Sequence, residues 1–217
     1  MNPKGLAFAR YTAEGVVLNI PQAGTYSLVF ADYDVTPEQL QIITEDIKAL
    51  PNVTYVDFIS KEFSLSEKCV PIGMSCGGLQ GARFAEEYPE LTAVLYLDNP
   101  VLNILSMYGL GAIDDPGVAA FRREIINTFN VDDSTILNFR NSPIDKMEKL
   151  IENNIPVLLI YGNADPVVIY RENGKVLEDY YKANGGNIKV ICRTMAKHHP
   201  HGLVDPTPII EFVEENF

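Results

Sequence analysis

The chain has 217 residues, which suits one domain with a sizeable core and is short for two. Its net charge is −12, and no cluster of Lys and Arg exists that could neutralise phosphate, so nucleic acid is excluded as a partner and an anionic membrane surface would repel it. No apolar run approaches the roughly 20 residues that span a bilayer. The segment Met1 to Arg10 lacks the apolar centre of a signal peptide, so a cytoplasmic location is expected.

Taken in chain order, residues 16–20 and 26–31 are β-rich and flank Pro21-Gln22-Ala23-Gly24, a pattern that predicts a hairpin. Thr36 and Pro37 read as the N-cap and first residue of a helix, with Leu40, Ile43, Ile47 and Leu50 on one face. Residues 56–63 lean towards helix. Beyond residue 69 the rhythm is regular. Cys69 to Ile72 is a short apolar run, followed by a helix to about Tyr88 and a strand over Ala93 to Leu97. Residues 103–153 contain no convincing strand. Val157 to Tyr161 is a further strand, then comes a helix around 172–184, a strand over Ile188 to Cys192 and an amphipathic helix from about Pro208. Alternation of this kind predicts an α/β fold with a mainly parallel sheet flanked by helices on both faces. Chemistry on such sheets sits at the carboxyl ends of the strands.

Those ends are occupied. Gly73-Met74-Ser75-Cys76-Gly77 matches Gly-x-Ser-x-Gly, a strained strand-to-helix turn that projects a serine hydroxyl above the sheet. Ser75 is the candidate nucleophile, and the Cys76 N–H at the helix start is a candidate oxyanion donor. Gly77, Gly78 and Gly81 would let the helix approach the sheet. Asp165 lies in the turn after Tyr161 and is the candidate acid; Asp98, at the end of its strand, is a substitute acid or a loop anchor. Met195 to Gly202 holds all three histidines, His198, His199 and His201. Histidine is the usual base for activating a serine. The cluster could instead bind a metal, but no Cys or Glu accompanies it, so no metal and no cofactor are expected. The three cysteines, Cys69, Cys76 and Cys192, form no Cys-x-x-Cys pair, which argues against a disulfide framework or zinc knuckle. Cys69 and Cys192 read as small buried apolar residues.

Ser75, Asp165, His198 is the chain order of α/β-hydrolases, unlike that of chymotrypsin or subtilisin. Residues 69–217 resemble the second half of that superfamily, and 72–100 with 185–208 resemble prolyl-oligopeptidase- or esterase-like hydrolases of bacteria. The resemblance implies Ser75 as nucleophile, Asp165 as acid and His198 as base. Lys197 stands where the family usually has glycine before the base, which keeps His199 open as the alternative. Length and resemblance together imply a single α/β-hydrolase-like domain over 1–217 and the resemblance a helical cap over 103–153, while the front of the chain departs from the family, which predicts a sheet shortened at its N-terminal side. Residues 1–24 do not resemble the superfamily's oxyanion-loop region. The function implied is acyl-enzyme hydrolysis of a small or carbohydrate-linked ester, with thioester and peptide substrates open to the same machinery. The other reading is a non-catalytic binding protein on a degraded scaffold. Homo-oligomerisation is left open.

Overall fold

A computed structural model describes strands at 7–12, 15–19 and 28–29, and residues 66, 68–110 and 118–217. The chain divides into two compact units, 1–69 and 70–217. In the first, β1 (Ala7–Thr12) pairs antiparallel with β2 (Gly15–Asn19) and parallel with β3 (Leu28–Val29). The expected hairpin of 16–20 with 26–31 does not form: β1 lies between the two segments, in the order β2-β1-β3. Pairing partners are chosen by the sheet as a whole, and a turn signal between neighbours in sequence does not make them neighbours in space. The expected helices over 36–50 and 56–63 lie outside the described residues.

The second unit is built on four parallel strands in consecutive order: β4 (Ile72–Met74), β5 (Leu95–Asp98), β6 (Val157–Gly162) and β7 (Ile188–Arg193). The strand period of two separates its faces. Leu95, Leu97, Val157 and Leu159 point to one side. They meet Ala82 and Ala85 of α1 (Gly77–Glu87), Leu150 of α3 (Glu148–Glu152), which follows α2 (Val118–Phe129), and Leu177 and Tyr181 of α4 (Gly174–Ala183). Tyr96, Leu158 and Ile160 point to the other side, onto Phe212 of α5 (Thr207–Asn216). Both faces are therefore covered. This is why β5 and β6 read as continuous apolar runs rather than alternating ones.

Residues 103–110 and 118–153 contain helices, turns and loops and no strand. Met107, Tyr108, Ile125 and Ile136 are buried together with Val101 and Val168, with Phe121, Phe139 and Leu79 packed against them. This cluster joins the segment to α1 and to the turn that carries Asp165. One further expectation fails: Cys192 is exposed. It sits on β7, at the end of the strand order, where among the described residues only β6 flanks it. An apolar β-rich run marks a strand but does not say that the strand is central.

Candidate active site

The turn after β4 sets the serine. Ser75 has φ 52°, a left-handed conformation that costs a side-chain-bearing residue energy and persists only when its surroundings enforce it. They do. The Ser75 N–H donates to the Asp98 carbonyl at 3.1 Å, and its carbonyl accepts from Gly78 at 2.9 Å and Val101 at 2.8 Å. A Cβ on Gly73 would lie 2.8 Å from the Gly77 carbonyl and 2.9 Å from the Leu97 side chain, so the turn closes only with glycine there. Gly78 and Gly81 likewise sit against Pro100 and Gly73, whereas a side chain on Gly77 would meet open space, against expectation. The helix starts at Gly77, and the Cys76 N–H ahead of it takes no partner among the described residues. The segment in which an α/β-hydrolase carries its second oxyanion donor, before the elbow, falls mostly outside the described residues.

The turn after β6 sets the acid. Asp165 Oδ1 accepts from the N–H groups of Val167 at 2.8 Å and Val168 at 3.1 Å. Its other oxygen, Oδ2, lies 2.7 Å from His198 Nδ1, and His198 Nε2 lies 2.9 Å from Ser75 Oγ. Asp165 and His198 are 9% and 6% exposed, so water screens the line little. A carboxylate already held by two N–H donors accepts on its remaining oxygen. Nδ1 of His198 therefore donates, and the lone pair of Nε2 faces the serine hydroxyl.

Ser75, Asp165 and His198, picked out by order and strand-end position, thus meet in one hydrogen-bonded line. Of the two neighbouring histidines, His198 is the one whose ring reaches Ser75 Oγ. His199 is exposed, and partial desolvation together with the two neighbouring imidazoles pushes its pKa below the usual imidazole range. Asp98 is not a substitute acid. Its fully buried carboxylate takes Arg193 Nη2 at 2.9 Å, His201 Nδ1 at 3.3 Å and the Gly202 N–H at 2.5 Å, which makes it the anchor of the loop after β7. Arg193 also donates to the carbonyls of Pro200 and Gly202.

One residue that sequence reasoning passed over is Asn99. Its φ of 43° turns the chain out of β5, its Nδ2 donates to the His198 carbonyl at 2.9 Å, and its Oδ1 accepts from Gly162 at 2.8 Å. The available signal was Asn99-Pro100 after a buried strand, since asparagine tolerates the left-handed region and Asn-Pro marks turns. Gly162 is a second such residue. A Cβ there would stand 2.4 Å from the Ala196 carbonyl, so only glycine lets the acid strand pass the base loop.

A parallel sheet flanked by helices, with serine, carboxylate and histidine converging from three strand ends, is the architecture of an α/β-hydrolase. The model of the prolyl oligopeptidase family matches residues 53–215, and the chain belongs to that family of serine hydrolases. No curated protein matches the chain by sequence. Among solved structures, the chain is similar to an acylaminoacyl peptidase of Pyrococcus horikoshii, at 19% identity and a TM-score of 0.52 over 74% of this chain and 24% of that one. It is also similar to a puromycin-hydrolyzing peptidase of Mycobacterium tuberculosis, at 14% identity and a TM-score of 0.55 over 73% of this chain and 22% of that one. The match thus spans about a quarter of each of those chains. No helix among the described residues is long and apolar enough to cross a membrane.

Proposed function

We propose that Ser75, His198 and Asp165 are the catalytic triad of a peptidase-type serine hydrolase that works through an acyl-enzyme. The observation that carries this reading is the unbroken line from Asp165 Oδ2 through His198 to Ser75 Oγ, at 2.7 and 2.9 Å. Nε2 of His198 takes the hydroxyl proton as Oγ attacks the carbonyl carbon. The tetrahedral oxyanion forms beside the Cys76 N–H. Collapse expels the amine or alcohol, which collects the proton from Nε2, and the same base then activates the water that releases the acid. Asp165 holds Nδ1–H throughout and stabilises the imidazolium. Three elements contribute one group each, so the geometry is set before substrate arrives.

Family membership supports an amide or peptide substrate over the small or carbohydrate-linked ester expected from the sequence. Esters react through the same steps. We place the acyl-side wall of the site on residues 103–109 and 119–153, because their apolar cluster continues into Val167 and Val168 beside Asp165. A degraded, non-catalytic scaffold would be expected to let the serine drift from its base, and the 2.9 Å contact counts against it. A fluorophosphonate probe tests the reading. Labelling is expected on the wild-type chain and absent in Ser75→Ala; equal labelling of both, or of neither, would sink it. Aminoacyl anilides set against short acyl esters would then rank the substrate classes.

A further inference from the structure

The base belongs to a second constellation that the hydrolytic reading leaves unused. The rings of His198, His199 and His201 stand mutually edge-to-face. Their centroids are 4.7, 5.1 and 4.8 Å apart and their planes are inclined by 77°, 79° and 82°. One ring nitrogen of each lies within 4.8 Å of one from each of the others. Three imidazoles on a tetrahedral zinc ion, with bonds of about 2.0–2.1 Å, hold their nitrogens roughly 3.4 Å apart. At their widest the nitrogens stand about 1.4 Å further apart than in such a site, and His199 is exposed.

The surroundings carry the same chemistry. Histidines that bind metal almost always donate their other ring nitrogen to a carboxylate or carbonyl, which fixes the ring and raises ligand basicity. Here two of the three do so. Nδ1 of His198 pairs with Asp165 at 2.7 Å, and Nδ1 of His201 pairs with Asp98 at 3.3 Å. Both carboxylates are buried. The nitrogen that His198 and His201 have left to offer is Nε2.

We propose that His198, His199 and His201 form a site for a divalent transition ion of the kind imidazole favours, zinc above all, and that filling it switches the hydrolase off. Nε2 of His198 cannot hold both an ion and the Ser75 proton. Binding replaces the Ser75–His198 hydrogen bond with a metal–nitrogen bond, and the hydroxyl loses its base. Neutral imidazoles bind through lone pairs, so no other bond is made or broken. The inhibition rests on the triad reading; the metal site does not.

The test is a zinc titration of the chelator-treated full chain by calorimetry, run beside fluorophosphonate labelling with and without zinc. One saturable ion per chain is expected, and it should block labelling. His199→Ala changes an exposed side chain outside the triad. It should bind zinc at least about tenfold more weakly. It should label normally without zinc, and label still at a zinc concentration that silences wild type. Ser75→Ala should bind zinc as well as wild type or better, because His198 Nε2 is released. The proposal is overturned if wild type takes up no stoichiometric zinc, if His199→Ala binds it equally well, or if bound zinc leaves labelling intact. Zinc binding in a chain that never labels would instead keep the site and remove the triad reading. Circular dichroism of each variant separates loss of a ligand from loss of the fold.

Discussion

The Asn99 side chain donates to the main-chain carbonyl of His198 at 2.9 Å, so the residue just past β5 holds the His198 loop in place. The same amide accepts from Gly162 on the neighbouring strand, which couples the base loop to the ends of both strands. Removing it leaves a buried carbonyl and a buried N–H unpaired, at a cost of about 1–3 kcal/mol each. Asn99→Gly is the informative variant, because glycine accepts the φ of 43° without strain. It should lower the melting temperature by several degrees. It should also slow fluorophosphonate labelling of the folded fraction by roughly tenfold or more, since small misplacements of a catalytic group are costly. A purely structural role would lower stability and leave the labelling rate of folded protein unchanged.

Asp165→Asn probes the tautomer. The carboxylate accepts three hydrogen bonds, two from backbone and one from Nδ1 of His198. A carboxamide that presents NH₂ to the ring favours the tautomer with hydrogen on Nε2, which cannot accept the serine proton. The corresponding change in a serine protease costs about 10⁴ in kcat with geometry intact. A loss of about that order is expected in the rate of Ser75 labelling, with little change in melting temperature. A loss below tenfold would mean that Asp165 does not set the ring.

How far the sequence was legible follows from which signals are local. Ser75 was legible as a candidate because a strained turn admits few residue types, and Asp165 and the histidine cluster because they follow it in order at strand ends. The central strands were readable because burial on both faces makes Leu95 to Leu97 and Val157 to Ile160 apolar without interruption. The choice between His198 and His199 was not readable. Adjacent residues point different ways, and which one meets the serine depends on a loop path held by Asn99 and Asp98 from distant strands. Asp98 looked like a spare acid because its strand-end position is the same whether it faces the site or the loop. Cys192 looked buried and Gly77 looked constrained because composition does not report which strand lies at an edge or where a helix start faces space. β1 pairs with β2 locally, Thr12 opposite Gly15, with no Asn-Gly or Asp-Gly signature between them, and its parallel pairing with β3 is non-local.

The Asp98–Arg193 pair should be a large single contributor to the stability of the second unit. Asp98 is fully buried and Arg193 nearly so, 2.9 Å apart, and the buried Nε of Arg193 has no hydrogen-bond partner among the described residues. Breaking such a pair from one side leaves an uncompensated charge, worth about 3–5 kcal/mol. In a chain of this size that corresponds to a fall of roughly 6–20 °C in melting temperature for Asp98→Ala. Replacing both partners is far gentler. Asp98→Ala with Arg193→Met should lose clearly less than the two single variants added together, and a thermal double-mutant cycle measures the difference. Additive losses would show that the two side chains do not act on each other.

Stability should also fall as pH rises through neutrality, for a reason confined to one helix. Glu86 lies on α1 and is 1% exposed. Among the described residues its Oε1 has no hydrogen-bond partner, and Oε2 has only Arg83 at 3.4 Å. Burial raises its pKa to about 7, outweighing the opposing charge of Arg83. The group is therefore neutral in the folded chain under conditions where the unfolded chain has ionised it. A raised folded-state pKa gives a contribution that is fully present below the unfolded value, near 4.5, and is lost as pH rises through about 7. Glu86→Gln removes the ionisation and keeps the shape. The melting temperature of the variant relative to wild type should therefore climb between pH 5 and pH 8, by several degrees in all, and level off above. Scanning calorimetry at half-unit steps reads this directly. A difference that stays flat across that range would place the Glu86 carboxyl in contact with water and remove burial as the cause.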